Sequence, residues 1–174
     1  MHTRISRGAP RSGLDWTSKY PTTAEALSAL PVSRAYLDSE LCAMRPDGTT
    51  SFSLMQAATD GQSAAGLVYF VFDALQLDGE DLLLKPLLER KARLAEMMKG
   101  APGTLQFSDH VVGNGTAFFR QARKLGAEGI VSKRADAPYW PGDRSGSWVK
   151  AKCLNRTAST SRRTASPKTR TPRE

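Results

Sequence analysis

Residues 67–77, LVYFVFDALQL, form a mostly apolar run of eleven, rich in β-branched and aromatic side chains, set between Gly66 and the pair Asp78-Gly79. A run of this composition closed by turn residues reads as a largely buried strand. Such a strand must be paired along its edges and covered on its faces. Other segments answer that need. Residues 34–44, RAYLDSELCAM, alternate like a second strand, and Asp47-Gly48 turns the chain after it. Residues 104–109, 128–134 and 147–153 read as further strands, the last two separated by PYWPGDRSGS. A helix is expected near 23–30, where Thr22 and Glu25 make a capping-box pattern, Ala26, Leu27 and Leu30 supply an apolar face, and Pro31 ends it. Further helices are expected around 53–60, over 86–99 with Pro86 at the first turn, and over 116–125, led by Gly113-Asn114-Gly115 and closed by Gly126. The expected class is α+β, mostly antiparallel sheets flanked by helices.

The two ends differ from this middle. Residues 1–10, MHTRISRGAP, lack periodicity and read as a flexible lead-in. From 156 to 174 the chain is mostly Ser, Thr, Pro, Arg and Lys with no large apolar residue, a composition that cannot bury a core and reads as a disordered basic tail. The folded domain is expected at 11–155. The net charge of +8 sits at the ends: residues 1–11 carry +3 and residues 156–174 carry +5, while 12–155 is neutral. Basic ends suit a polyanion, and they also suit a merely solvated tail. Two cysteines, Cys42 and Cys153, and two histidines, His2 and His110, make neither a disulfide framework nor a zinc motif, so a reducing cytoplasm is expected. No apolar run approaches the roughly 18 residues of a membrane span, and the N-terminus has no secretory h-region.

Several groupings can carry chemistry. On a strand over 36–42, Asp38 and Glu40 share a face, either as ligands for a cation or ribose hydroxyl or as a solvated pair. In SWVKAK, 147–152, Trp148, Lys150 and Lys152 share a face, fit for a phosphate-bearing ligand or simply the polar side of an amphipathic strand. Glu128 before Gly129 can project into a cleft, and Phe72 can stack on a base or pack in the core. Gly113-Asn114-Gly115 lacks the Lys-Ser/Thr ending of a phosphate loop and reads as turn chemistry. Ser108-Asp109-His110 holds the residue types of a hydrolase, but neighbours on one strand cannot form a triad.

RSGLDWT at 11–17, YLDSELC at 36–42, YFVFDAL at 69–75, EGIVSKR at 128–134 and SWVKAKC at 147–153 occur in this order. Together they resemble the adenylation (nucleotidyltransferase) domain of ATP-dependent DNA ligases, closest to the ligase module of the bacterial non-homologous end-joining ligase D. The resemblance covers about 11–155 and implies an ATP-grasp-like domain. In that family a lysine attacks the α-phosphate of ATP, the lysyl-AMP passes its AMP to the 5′-phosphate of nicked DNA, and the 3′-hydroxyl displaces AMP. By resemblance, Arg11 contacts the nucleotide or DNA phosphate and Glu40 lies near ribose and metal. Phe72 stacks on adenine, Glu128 helps hold Mg²⁺ (or Mn²⁺), and Lys150 and Lys152 neutralise the α-phosphate. These roles suit a reaction that depends on positioning and charge stabilisation. ATP and nicked or broken double-stranded DNA are the implied ligands.

Two departures temper this. The family's nucleophile lies in a Lys-x-Asp-Gly-x-Arg motif upstream of the RSGLDWT block. Here ten residues without lysine precede that block, and neither Asp47-Gly48 nor Asp78-Gly79 has lysine two places before it. The OB-fold that normally follows the Lys-x-Lys strand is replaced after Asn155 by the basic tail. The expectation is therefore a ligase fragment, missing the nucleophile strand and the OB-fold, without a catalytic lysine and unable to self-adenylate, unless another chain supplies the lysine motif. The alternative is a non-catalytic nucleic-acid-binding or accessory protein that uses its basic ends. Ser39 also stands where the family usually has glycine.

Overall fold

A computed structural model describes residues 2–5, 16–61, 66–142 and 146–153. Arg11, residues 12–15 of the RSGLDWT block and the basic tail lie outside the described residues. The elements in chain order are β1 (His2–Ile5), α1 (Pro21–Ser28), β2 (Ala35–Ala43), α2 (Phe52–Thr59), β3 (Leu67–Leu77), β4 (Glu80–Asp81), α3 (Leu87–Met97), β5 (Leu105–Phe107), α4 (Gly115–Lys124), β6 (Gly129–Lys133) and β7 (Trp148–Lys152). The α+β class stands: one larger, mostly antiparallel sheet, one two-stranded sheet, and four helices among the described residues.

β3 is the spine. β2 runs antiparallel to it along its length, while on its other edge β5 runs parallel to Tyr69–Val71 and β4 pairs with its last two residues. β1 extends the sheet by pairing antiparallel with β2, Thr3 opposite Leu37. This strand falls within the span read from sequence as a lead-in; a strand can be held by its backbone ladder without an apolar pattern to announce it.

Helix starts follow local chemistry. α1 begins two residues earlier than expected, with Pro21 in its first turn and no side-chain cap at Tyr20, so the Thr22–Glu25 pattern is not used as a capping box. Proline preset for helical φ sets the start instead. α2 is capped by Ser51, whose Oγ accepts from the Leu54 amide at 3.4 Å. Asn114 caps α4 from a left-handed conformation, φ 36°, as the turn reading of Gly113-Asn114-Gly115 anticipates.

The core gathers Leu37 and Leu41 of β2, Tyr69, Val71 and Ala74 of β3, and Leu94 and Met97 of α3 with residues of α1. On α3 the buried positions are Leu87, Arg90, Lys91, Leu94 and Met97, the spacing of one helix face. Two of these are cations. Arg90, 1% exposed, donates from Nε and Nη2 to both oxygens of Asp73 at 2.9 and 2.8 Å, and from Nη1 to the carbonyls of Lys85 and Ala137 at 2.6 and 3.1 Å. The two-pronged pair leaves few unmet donors on the guanidinium, which is what makes its burial tolerable.

The Ala137 bond matters for architecture, because residues 134–147 connect β6 to β7. The same connection receives the Leu88 amide at Ala135 O (3.2 Å), and its Tyr139 amide donates to Leu83 O (2.7 Å). The small sheet is thus fastened to α3 and to the segment before it. Among the described residues no helix is long and apolar enough to cross a membrane.

Candidate nucleotide site

Two irregularities in the β2–β3 ladder shape the site. Leu37 pairs with Ala74 after Tyr36 pairs with Gln76, and Ser39 pairs with Val71 after Asp38 pairs with Asp73. Each shift leaves one extra residue on β3, Leu75 and Phe72 respectively. A bulge bends its strand and re-aims a side chain. Phe72 is consequently half-buried beside the Asp38–Asp73 pair, in a strand whose neighbours Val71 and Asp73 are both fully buried.

On β2 the alternation holds. Leu37, Ser39, Leu41 and Ala43 are buried, while Asp38, 2% exposed, and the exposed Glu40 lie on the other face. Ser39 faces inward, and its Oγ donates to the Tyr69 hydroxyl at 2.6 Å. The serine at the family's glycine position is therefore satisfied within the core.

The small sheet supplies the opposite wall. Its register, Gly129 to Lys152, Val131 to Lys150 and Lys133 to Trp148, sets Val131, Lys133, Trp148, Lys150 and Lys152 on one face. The strands approach so closely at Gly129 that a Cβ there would meet Ala151 O at 2.5 Å. Glu128, just before β6, is exposed; its carbonyl accepts from the Cys153 amide at 2.8 Å, and its carboxylate lies 3.9 Å from Lys150 Nζ. At that distance, between exposed groups, the pair contributes little to stability and leaves both charges available.

Lys133 joins the walls. Its Nζ stands 3.7 Å from the Trp148 ring centre and 5.1 Å from that of Phe72, and it is buried without a hydrogen-bond partner. Burial pushes its pKa down, partly offset by Asp38 and Asp73 and reinforced by Arg90. Lys91 approaches Phe72 from the backbone side: its Nζ donates to Ser108 O at 2.7 Å and Phe72 O at 3.4 Å and lies 4.6 Å from the Phe107 ring centre. Its pKa is also lowered, by burial first and then by Lys133.

The structure therefore joins Phe72 to the face bearing Trp148, Lys150 and Lys152, with Glu128 at the edge of that face. Glu40 stands on the larger sheet. Among the described residues no three His, Cys, Asp or Glu side chains converge as a metal-binding group. Lys133 is the residue that sequence reading passed over. It lies inside EGIVSKR, and its parity with Gly129 and Val131 is the signal that sets it on the lysine face. A separate cavity of 510 Å³, touching Arg34, Tyr36, Gln76 and Asp81, lies at the other end of the β2–β3 pair and includes none of the candidate residues. The candidate residues are joined instead through Lys133, which lies over both Phe72 and Trp148.

Residues 6–152 match the ATP dependent DNA ligase domain family. The chain is 35% identical over 144 residues to the multifunctional non-homologous end joining protein LigD of Pseudomonas aeruginosa, covering 82% of this chain and 17% of that protein. It is 35% identical over 144 residues to a probable DNA ligase of Sorangium cellulosum, covering 78% of this chain and 27% of that one. It thus spans under a third of the length of these relatives. Among solved structures, the ligase domain of M. tuberculosis LigD superposes with a TM-score of 0.69 at 33% identity, over 87% of this chain and 49% of that chain. A mycobacterial DNA ligase D complexed with ATP and MES gives 0.70 at 33% identity, over 88% and 51%. With its ordered motifs, its two-sheet cleft and these matches, the chain belongs to the ATP-dependent DNA ligase domain family.

Proposed function

We propose that this chain binds ATP in the cleft between the larger sheet and β6–β7, as part of a DNA-ligase adenylation site acting on nicked or broken duplex DNA in the cytoplasm. The observation that carries this reading is the bulge-directed Phe72 facing a strand pair that aligns Trp148, Lys150 and Lys152. An aromatic ring offers a stacking surface for adenine, and two exposed ammonium groups further along the β7 face suit phosphates. The mycobacterial relative complexed with ATP supports the ligand.

Arg11, Glu40, Phe72, Glu128, Lys150 and Lys152 keep the roles that the resemblance gives them. Glu40 and Glu128 would supply carboxylate oxygens to Mg²⁺, which keeps waters and substrate phosphate oxygens and takes only one or two carboxylates. A bound Mg²⁺ would supply charge neutralisation at the phosphates; the lysines orient the same phosphates from the β7 side.

These 174 residues hold no Lys-x-Asp-Gly-x-Arg run. The described lysines of the cleft, Lys133, Lys150 and Lys152, lie in other motifs. On this reading the chain binds ATP without forming lysyl-AMP, and transfer requires a lysine motif from outside these residues. The test is titration of the purified chain with ATP and Mg²⁺, followed by intact mass. Saturable ATP binding with no AMP adduct is the expected result. A chain that melts cooperatively and binds no ATP would refute the binding reading, and an adduct would refute the absence of self-adenylation.

A further inference from the structure

Lys133 has an environment that its fold does not explain. Its ammonium is buried between the faces of Trp148 and Phe72, with ring centres at 3.7 and 5.1 Å, and no hydrogen-bond acceptor reaches it. Aromatic faces attract a cation but offer no lone pair in the plane of a normal acceptor. A buried ammonium gives up hydration that only an acceptor restores. The neighbouring Lys91 shows the contrast: it is equally drawn into the fold, but two backbone carbonyls receive it. Arg90 likewise uses four acceptor atoms. Among these three cations of the region, only Lys133 has no hydrogen-bond acceptor, and its ammonium lies over the ring of Phe72. A methionine or leucine would tie the sheets together better.

We propose that Lys133 is a base-reading residue: its ammonium donates to a ring nitrogen of the adenine that stacks on Phe72, and so selects a base presenting an acceptor at that edge. This rests on the nucleotide-binding reading above and adds to it a residue and a discriminating atom. Lys150 and Lys152, two and four residues beyond Trp148 along the same face toward the Gly129 end, are left to the phosphates. The division follows from register: Lys133 is level with Trp148 at one end of the small sheet, and Lys152 is level with Gly129 at the other.

The experiment is calorimetric titration of the full chain, wild type and Lys133→Met, with ATP, the 1-, 3- and 7-deaza analogues of ATP, and tripolyphosphate. Charge-assisted hydrogen bonds set the expected scale, about tenfold to a hundredfold in affinity. Wild type should lose that much for one of the deaza analogues. Lys133→Met should bind ATP as weakly as wild type binds that analogue, and should show no further loss for it. Tripolyphosphate should bind both proteins equally. Thermal melts should show Lys133→Met as stable as wild type or more so, because an orphan buried charge is removed.

Three results overturn the proposal. Equal ATP affinity in the two proteins removes the role. Equal weakening of ATP and tripolyphosphate makes Lys133 a phosphate ligand. A lowered melting temperature with no analogue dependence makes it a structural pin. If Lys133→Met does not fold, the wild-type series still decides: full affinity for all three deaza analogues contradicts the proposal, and loss for one that Lys133→Arg retains supports it. A folded wild type that binds neither ATP nor tripolyphosphate refutes the nucleotide reading itself, a distinct outcome.

Discussion

Phe72, Lys150 and Lys152 are separable by what each removes. Lys150 and Lys152 are exposed. Replacing either by Ala should change stability by no more than about 0.5 kcal/mol yet weaken ATP about tenfold, the scale of a lost charge-assisted hydrogen bond. Phe72→Ala should weaken ATP by about 1–3 kcal/mol, the range of a lost aromatic–base stack, while leaving tripolyphosphate binding unchanged. Calorimetry beside thermal melts checks both, and equal losses for ATP and tripolyphosphate in Phe72→Ala would contradict the stacking role. Lys133 adds a pH signature. Its folded pKa lies below the ordinary 10.5, as does that of Lys91. Between the lowered value and 10.5 the unfolded chain binds more protons, so stability rises with pH across that alkaline window. Asp38 and Asp73 attract the Lys133 charge, and Arg90 and Lys91 repel it. Lys133→Met should flatten the rise; superimposable stability–pH curves for the two proteins would contradict it. Residue identity alone conceals this. Nothing in the letters EGIVSKR marks Lys133 as buried; its placement needs the β6–β7 register and a bulge on another strand.

At the scale of elements, periodicity carries far. The strand over 67–77, the alternating strand after residue 34 and the helix after Pro86 are all legible because burial on one or both faces writes its period into the chain. Features that depend on pairing are not legible. The two extra residues of β3 appear only against β2, and β1 is held by backbone bonds with no apolar pattern to reveal it. The Arg90–Asp73 pair is intermediate: an Asp inside an apolar strand and an Arg on the buried face of α3 are each visible, but their union is not. That pair joins α3, β3 and the β6–β7 connection, so its loss should be felt by the whole domain. Arg90→Met should destabilise by about 3–5 kcal/mol, since it leaves Asp73 buried and unpaired. Adding Asp73→Leu should recover part of that loss. Chemical denaturation of the single and double variants checks this, and a mild single-variant effect would contradict the role of the pair as a fastener. Gly129→Ala should cost about 1–3 kcal/mol by forcing β6 from β7, and with it ATP affinity.

Across the whole molecule, the excess charge lies at the ends of the sequence. Residues 12–155 are neutral and the basic side chains in excess lie at the two ends. If the ends grip DNA, affinity for duplex DNA should fall steeply with salt, and deletion of 156–174 should remove most of it. Affinity indifferent to both would leave the ends without that role. The cleft itself makes the central claim, and photoaffinity labelling tests it most directly. The full chain is irradiated with 8-azido-ATP and Mg²⁺, digested, and the labelled peptides are identified by mass. The account predicts label on peptides carrying Phe72 or the β6–β7 pair, suppressed by excess ATP. Label confined to other elements, or label that excess ATP does not displace, would contradict it.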